Sequence, residues 1–251
     1  MAPIIDYQGK TAVVTGAATG VGAALVERLR VAGADTVVAV DLKPCSGPVD
    51  ATVIADLSDP DSVAQAISQL PDRIDALFNN AGVAATLPTA TVMAVNVLAP
   101  RRLITGLQQR MPAGSAIVNT ASSAGSGFME RLGAIMELLG IDDWQQALDW
   151  VAARPELTNN PYGFSKECAQ VLTLRYSTPL ATRGIRINSV CPGLIDTPLL
   201  TDFVASQGAP ILDWMTSQSG GRKATPREVA DALSFLGSDA ASYINGTNLL
   251  V

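Results

Sequence analysis

The stretch Thr11–Gly22, with the sequence TAVVTGAATGVG, constrains the fold of this chain more than any other segment. Its apolar run Ala12–Val14 is too short for a helix and is typical of a buried strand. Glycines follow in the pattern G-x-x-x-G-x-G, and a helical sequence begins directly after them. In a strand–turn–helix unit of this kind, backbone N–H groups and the positive end of the helix face one point, where an anion can bind.

Each glycine of this turn has its own expected role. Gly16 permits the tight turn, Gly20 lets the backbone approach a pyrophosphate, and Gly22 lets the helix pack on the strand. The spacing differs from the G-x-G-x-x-G fingerprint of dinucleotide-binding folds. Because glycine-rich turns also occur for packing alone, the turn by itself leaves both interpretations open.

The rest of the 251-residue chain alternates short apolar strands with helical segments. Long helical patterns cover Val92–Leu107 and the segment from Tyr162 to about Leu180. Further strands are predicted at Thr36–Val40, Val53–Ala55, Ile74–Phe78, Ser115–Asn119, Gly184–Val190 and Thr247–Val251. This alternation predicts a doubly wound α/β sheet of about seven parallel strands, in a single domain that spans residues 1–251.

Two segments depart from this alternation. Residues 128–157 carry two amphipathic patterns and predict a helical hairpin that ends at Pro155, with Gly140 stopping its first helix. The apolar faces are expected to contain Phe128, Leu132, Ile135, Met136 and Leu139 in the first helix, and Trp144, Ala147, Leu148 and Val151 in the second. Residues 197–222 mix apolar, Gly and Pro residues without one period, which predicts a mobile flap over a substrate.

Composition excludes several classes of function. A net charge of -6 without a Lys/Arg run argues against a nucleic-acid partner, and no apolar stretch approaches the roughly 18 residues of a membrane span. The absence of histidine excludes a Ser-His-Asp triad and histidine-ligated metals. Cys45, Cys168 and Cys191 lie far apart, and the start of the chain lacks a signal-peptide pattern. We therefore expect a cytoplasmic protein that binds no metal.

Small and polar residues follow the predicted strands at their carboxyl ends. They are Gly16, Asp41, Asn80, Ser122 and Pro192. Because ligands of open α/β sheets bind outside the carboxyl ends of the strands, these residues are expected to converge on one crevice.

Asp41 indicates which dinucleotide this crevice would hold. It lies 19 residues after Gly22, at the end of the second predicted strand. A carboxylate there can accept hydrogen bonds from the adenosine ribose hydroxyls and would repel a 2′-phosphate, which favours NAD over NADP. The alternative is that Asp41 only opens the turn toward Pro48.

In these residues the chain resembles the short-chain dehydrogenase/reductase family. The matching motifs occur in the family's order over nearly the whole chain: Thr15-Gly16-x-x-x-Gly20-x-Gly22, Asn79-Asn80-Ala81-Gly82, Asn96, Ser122, Tyr162-x-x-x-Lys166 and Pro192-Gly193. The resemblance implies a Rossmann-type fold and catalysis by Asn96, Ser122, Tyr162 and Lys166. It implies NAD binding by Gly16, Thr19, Gly20, Val21, Gly22, Asp41, Asp56, Leu57, Asn80, Ala81, Gly82, Tyr162, Lys166, Pro192, Gly193, Ile195 and Thr197.

The resemblance also implies a role for each catalytic residue. Tyr162 would carry the proton, and Lys166, four residues later on the same helical face, would lower its pKa together with the cationic oxidised nicotinamide. Ser122, chosen over Ser123 because it lies three residues after Asn119, would hold the substrate oxygen. Lys166 would also bind the nicotinamide ribose. Asn96 would anchor a water that relays protons to Lys166, unless its amide only ties down the backbone.

Two spacings resemble one branch of the family, the branch that includes bacterial 3α-hydroxysteroid dehydrogenase/carbonyl reductase. Tyr162 follows Ser122 by 40 residues, far more than in most members, and Asn96 follows Gly82 by only 14. This resemblance implies an NAD-dependent oxidoreductase that interconverts a secondary alcohol and a ketone, with a small apolar substrate. Members usually continue past the last strand, so either a tail follows Val251 or the cleft is more open at that edge.

Alternatives of the same fold remain. A 3-oxoacyl reductase usually prefers NADP and needs basic residues to dock an acidic carrier, which Asp41 and the acidic balance oppose. A polyol dehydrogenase is harder to exclude, because the variable flap would supply its contacts. A dinucleotide-sensing regulator, which is not an enzyme, would be expected to lose Tyr162 or Lys166.

The family resemblance also implies a homo-oligomer, either a homodimer or a homotetramer. Most relatives pair through the outer faces of the two long helices that contain Asn96 and Tyr162. The hairpin 128–157 needs a surface on which to bury two apolar stripes, and this helix pair is the nearest one. We therefore expect the hairpin to change or block that interface, leaving a dimer through residues 230–251. A hairpin that exchanges between subunits is the alternative.

Overall fold

Seven parallel strands form one sheet in the computed structural model, which describes residues 4–207, 216–217 and 220–251. They are β1 (Thr11–Thr15), β2 (Thr36–Asp41), β3 (Ala51–Ile54), β4 (Ala76–Asn79), β5 (Ala116–Thr120), β6 (Arg186–Cys191) and β7 (Asn248–Leu250). Their order across the sheet is β3-β2-β1-β4-β5-β6-β7, and every neighbouring pair is parallel. This confirms the predicted doubly wound, seven-stranded sheet.

Helices cover both faces of the sheet, which explains why consecutive residues of strands such as β1 and β2 are apolar and buried. The helices are α1 (Gly20–Val31), α2 (Pro60–Gln69), α3 (Thr89–Met93), α4 (Ala99–Leu107), α5 (Leu132–Leu139), α6 (Trp144–Ala152), α7 (Pro161–Ala181), α8 (Leu199–Gln207) and α9 (Pro226–Gly237). Along β1, Ala12 and Val14 face the layer of α1 and α9, whereas Val13 faces the layer of α2, α4 and α7.

Strand bounds differ from the predicted ones by at most two residues. The predicted strand Gly184–Val190 begins at Arg186 instead, because the Gly184 and Ile185 N–H groups bond to the carbonyls of Ala181 and Leu180 at the end of α7. The apolar character of Ile185 reflects burial in this turn rather than strand pairing.

The helical pattern Val92–Leu107 is not one regular helix. α3 is followed by a π-helical turn, Ala94–Leu98, and only then by α4. Pro100 has no N–H, and its ring would clash with the carbonyl of Asn96 in a regular helix, so the wider turn relieves that conflict.

The hairpin forms as α5 and α6, but its buried faces differ from the predicted ones. Met136 is 40% exposed and Leu148 is half-buried, whereas Leu138 and Trp150 are buried. α5 packs on α7 and α6 packs on α3. Because each helix of the hairpin has its own packing partner, its buried face is rotated by part of a helical turn from the predicted one. None of residues 128–157 lines the cleft described below, and the contact of the hairpin with α7 is made by α5.

The predicted flap contains a helix in its described part. α8 occupies Leu199–Gln207, while residues 208–215 and 218–219 lie outside the described residues, and the role of the segment as a flap stays a prediction. Backbone hydrogen bonds join Asp196 N to Ala224 O and Ala224 N to Leu194 O, so the two ends of the segment are tied together. Within the described part of the chain, no helix combines the length and apolar character of a membrane span.

Candidate active site

A cleft of about 320 Å³ lies at the carboxyl ends of the central strands, where the strand order reverses between β1 and β4. It brings together every residue predicted to bind the cofactor except Gly22, and every predicted catalytic residue except Asn96. The cleft is also lined by residues that were not predicted from the sequence, namely Val40, Leu42, Ala55, Val83, Val95, Thr120, Ala121, Pro198 and Leu199. Most of these carry no motif, and only their place directly after or beside a strand end could have indicated them.

The glycine turn makes a cradle that a side chain would fill. Gly16 has a φ of 65°, and a Cβ on it would lie 2.7 Å from the Cα of Ala81. A Cβ on Gly22 would lie 1.9 Å from the carbonyl oxygen of Gly16, so α1 can begin this close to β1 only at a glycine. Thr15 Oγ1 accepts hydrogen bonds from the N–H groups of Asn80 and Ala81 and so joins the turn to β4. The cradle at the start of α1 fits a pyrophosphate.

Asp41 lies at the rim of this cradle, at the end of β2. Its Oδ2 accepts a hydrogen bond from Ala18 N at 2.9 Å, and its Oδ1 accepts one from Lys43 N at 3.2 Å. The carboxylate therefore orders both the glycine turn and the turn that follows β2, while it also lines the cleft. Asp56 and Leu57, which follow β3, line the same end of the cleft.

α7 brings Tyr162 and Lys166 to the other end of the cleft. Asn160 Oδ1 accepts a hydrogen bond from Gly163 N and caps the helix, and Pro161 occupies its first turn. Lys166 Nζ donates to the carbonyl of Thr120 at 2.9 Å and lies 5.6 Å from the centre of the Tyr162 ring. The phenol and the ammonium group are therefore adjacent and buried.

Ser122 approaches the same phenol from the end of β5. Its side chain hydrogen-bonds to Tyr162, and its Oγ also accepts from Ala124 N at 3.1 Å. Ser122 lines the cleft, whereas Ser123 does not. The hydroxyl groups of Ser122 and Tyr162 could thus both contact one substrate oxygen.

Burial governs the titration of these groups. It raises the pKa of Tyr162, and the hydrogen bond with Ser122 offsets part of that effect. It lowers the pKa of Lys166 to about 8, because the buried ammonium is poorly solvated. In the protein alone the pKa of Tyr162 is therefore raised, whereas a cationic nicotinamide beside the phenol is expected to lower it.

Asn96 lies behind the cleft wall, in the π-helical turn. Its Oδ1 accepts from Val83 N at 2.9 Å, and its Nδ2 donates to Val83 O and to Ser165 Oγ, each at 3.0 Å. The amide thus ties down the backbone after β4. A Cβ on Gly82 would lie 3.4 Å from Asn96 Oδ1 and 3.5 Å from Lys166 Nζ, so only a glycine keeps the space between them clear.

Similar sequences are found along nearly the whole chain. Residues 10–134 match the family model described as short chain dehydrogenase, and residues 149–251 match the one described as Enoyl-(Acyl carrier protein) reductase. A coniferyl-alcohol dehydrogenase from a Pseudomonas species is 34% identical, over 98% of this chain and 96% of that protein.

Solved structures show the same fold. The 3-alpha-hydroxysteroid dehydrogenase from Pseudomonas sp. B-0831, complexed with NADH, has a TM-score of 0.76 and 32% identity, and covers 96% of this chain and 94% of its own. The angucycline C-6 ketoreductase LanV with bound NADP has a TM-score of 0.71 and 26% identity, and covers 98% of this chain and 95% of its own.

Proposed function

The chain belongs to the short-chain dehydrogenase/reductase family, as an oxidoreductase acting on alcohol groups, and we propose that it interconverts an uncharged secondary alcohol and its ketone with NAD. The observation that carries this proposal is the placement of Ser122, Tyr162 and Lys166 at one end of a cleft whose other end is the glycine cradle. That placement sets proton-handling groups at the end of the groove opposite a pyrophosphate site.

The choice of NAD rests on Asp41. Solved structures of relatives contain NADH in one case and NADP in another, so membership of the family leaves the choice open. The Asp41 carboxylate lies beside the glycine turn, where an adenosine ribose would lie, and a 2′-phosphate at this point would face a like charge.

The protein's own residues would move the proton while the nicotinamide supplies hydride transfer. Tyr162 takes the hydroxyl proton in oxidation and returns it in reduction, and Ser122 holds the same oxygen and stabilises its developing charge. Lys166, with a pKa of about 8, is mostly protonated at neutral pH, so its positive charge is available to stabilise the phenolate.

Asn96 would contribute to proton exchange with Lys166 through its backbone carbonyl. Its amide is engaged by Val83 and Ser165, but Pro100 has no N–H to donate to the Asn96 carbonyl. We propose that this carbonyl holds the water that exchanges protons with Lys166, through the space left by Gly82.

The substrate class is inferred from the lining of the cleft. Val83, Val95, Pro198 and Leu199 are among its apolar residues, and Lys166 is the only cationic side chain among the described lining residues. The charge of Lys166 is assigned to the Tyr162 phenolate, which leaves no second cation in the described lining for a carboxylate or phosphate of the substrate and favours an apolar alcohol. The similarity to a hydroxysteroid dehydrogenase supports a cyclic secondary alcohol, and the coniferyl-alcohol relative makes an aromatic primary alcohol the second candidate.

A spectrophotometric screen for nicotinamide reduction tests the proposal. NAD and NADP are each supplied with hydroxysteroids, cyclohexanols, aromatic primary alcohols, polyols and hydroxyacyl thioesters. We expect turnover with NAD and an apolar alcohol, and a loss of about a hundredfold or more in Tyr162→Phe while NAD binding is retained. Tyr243→Phe, a change at an exposed phenol, is the control.

Three outcomes would contradict parts of the proposal. Turnover only with polyols or hydroxyacyl thioesters would reject the substrate class. A Tyr162→Phe variant that keeps more than about a hundredth of the rate would reject the catalytic assignment. Tight NAD binding with no turnover on any alcohol would favour a dinucleotide-sensing regulator.

We also propose a homodimer formed through α9 and β7. The hairpin packs on α7 through α5, whereas Leu250 and Val251 at the β7 edge are exposed in the single chain.

A further inference from the structure

A third polar side chain lies on the face of α7 that carries Tyr162 and Lys166. Gln170 follows Lys166 by four residues, as Lys166 follows Tyr162, so the three side chains lie in one row. Gln170 is only 3% exposed, and a buried amide is stable only when it is hydrogen-bonded. Its Nε2 donates to the backbone carbonyl of Ser122 at 2.8 Å.

This hydrogen bond lies at the contact between α7 and the turn after β5. A Cβ on Gly125 would lie 2.5 Å from the Lys166 carbonyl oxygen and 2.8 Å from Gln170 Nε2, so the turn presses directly against the helix. The Ser122 carbonyl also accepts from Gly125 N at 3.0 Å. Ser122 is therefore held from its own turn on one side and from α7 on the other.

Ser122 needs such an anchor because it lies beyond the regular sheet. β5 ends at Thr120, and the N–H groups of Ala121 and Ser123 bond to the carbonyls of Val190 and Pro192. These bonds join the turn to β6, which does not carry Tyr162. Among the bonds described for the Ser122 backbone, the one from Gln170 joins it to the helix of its phenol partner.

We propose that Gln170 is a positioning residue, whose amide holds Ser122 against α7 so that the Ser122 hydroxyl stays in contact with Tyr162. The proposal rests on the function proposed above and adds a residue to it. Without this anchor the serine turn can shift relative to the phenol. A displacement of this kind is expected to lower kcat by about tenfold to a hundredfold. The glycine cradle lies elsewhere, so the affinity for NAD is expected to stay within about twofold.

Gln170→Met removes the donor while it keeps the length of the side chain. Thr173→Val is the matched control, because Thr173 is buried on the same helix and accepts from Asn119 Nδ2 at 2.9 Å, upstream of the serine turn. Each variant deletes one buried hydrogen bond between α7 and the β5 region. Gln170→Met alone is expected to lower kcat and to displace the pH profile to higher pH, since the Ser122 bond lowers the pKa of Tyr162.

A second readout does not need turnover. With tyrosine labelled with ¹³C at Cζ, the Tyr162 resonance is assigned by its loss in Tyr162→Phe, and its shift reports the hydrogen bond to Ser122. We expect a changed shift in Gln170→Met and an unchanged one in Thr173→Val. An unchanged resonance in Gln170→Met, or the same change in both variants, would overturn the proposal. If the wild type turns over no alcohol, the function proposed above fails, but this measurement still decides the role of Gln170.

Discussion

At the residue scale, the site concentrates polar groups where burial is costly. The Lys166 ammonium lies within the protein and bonds to the Thr120 carbonyl, and its pKa falls to about 8 from an ordinary 10.5. A group kept charged under such conditions lowers the stability of the folded state. The role proposed for Lys166 in catalysis and the stability of the fold therefore place opposite demands on this position.

Lys166→Met is expected to stabilise the protein near neutral pH. Below a pH of about 8 the lysine is charged in both the folded and the unfolded state. Burial of this charge lowers the free energy of unfolding of the wild type by on the order of 3 kcal/mol, and the hydrogen bond that the variant loses offsets part of that difference. Between about 8 and 10.5 the unfolded chain binds more protons, so wild-type stability rises with pH and the advantage of the variant shrinks.

Denaturant unfolding at several pH values measures this difference. The exposed Lys223→Met is the control and is expected to stay within about 0.5 kcal/mol of the wild type. A gap between Lys166→Met and the wild type that does not change with pH would contradict the account.

Asp41→Asn is expected to shift cofactor preference toward NADP. The amide oxygen can still accept from Ala18 N, so the turn is kept while the charge is removed. The ratio of kcat/KM for NAD to that for NADP should fall by about tenfold or more. Asp56→Asn removes a second carboxylate from the same end of the cleft, and an equal fall there would show that only the overall charge matters.

At the element scale, the hairpin is attached to α7, the helix that carries Tyr162 and Lys166, the residues proposed to be catalytic. Arg131 donates to both carboxylate oxygens of Glu167 and to the Leu157 carbonyl, and its guanidinium lies 5.1 Å from the centre of the Phe164 ring. Arg101 of α4 donates to the carbonyls of Leu139 and Asp142 at the end of α5. The inserted segment is thus part of the wall behind Tyr162 and Lys166.

Arg131→Met is expected to lower the free energy of unfolding by about 3 kcal/mol, because it leaves the buried Glu167 carboxylate without its cation. Arg154→Met is the matched control, since Arg154 also pairs with a glutamate and stacks on an aromatic ring, but Glu137 is exposed. Its cost should stay below about 1 kcal/mol. Equal costs in urea denaturation would show that burial of the pair does not matter.

At the scale of the whole molecule, the sheet has two unequal edges. β7 carries Leu250, which is 66% exposed and is followed by the exposed Val251, while β3 at the other edge carries Ile54 at 54%. An edge strand has unpaired backbone groups and is a natural pairing surface. The hairpin leaves the β7 edge as the surface that we propose for dimer formation.

Leu250→Lys is expected to convert the dimer to a monomer in sedimentation or light scattering at micromolar concentration, because it buries a charge in the proposed contact. Ile54→Lys makes the same change at the opposite edge and should leave the dimer intact. A tetramer joined through α7, with residues 128–157 unprotected in hydrogen exchange, would contradict this arrangement.

How much of the molecule could be predicted depends on the kind of signal. The sheet and the order of its elements were predictable because buried parallel strands need apolar runs and because small and polar residues follow these runs where a ligand crevice of such a sheet lies. The start of β6 was not predictable, because Ile185 is an apolar residue that is buried in a turn rather than in a strand. The π-helical turn was not predictable either, because the hydrophobic pattern of the helix continues past Pro100, which distorts it.

The sequence by itself determined the fold class, the family and the positions of Tyr162, Lys166 and Ser122, because these depend on residue types at set spacings. Only the tertiary structure decided which further residues, such as Val83 and Leu199, line the same cleft, and that Gln170 donates to the Ser122 carbonyl. It also decided that the side-chain amide of Asn96 hydrogen-bonds to the backbone of Val83. Such contacts join segments that are far apart in the chain, and burial, which sets the pKa values of Tyr162 and Lys166, is a property of the packed molecule.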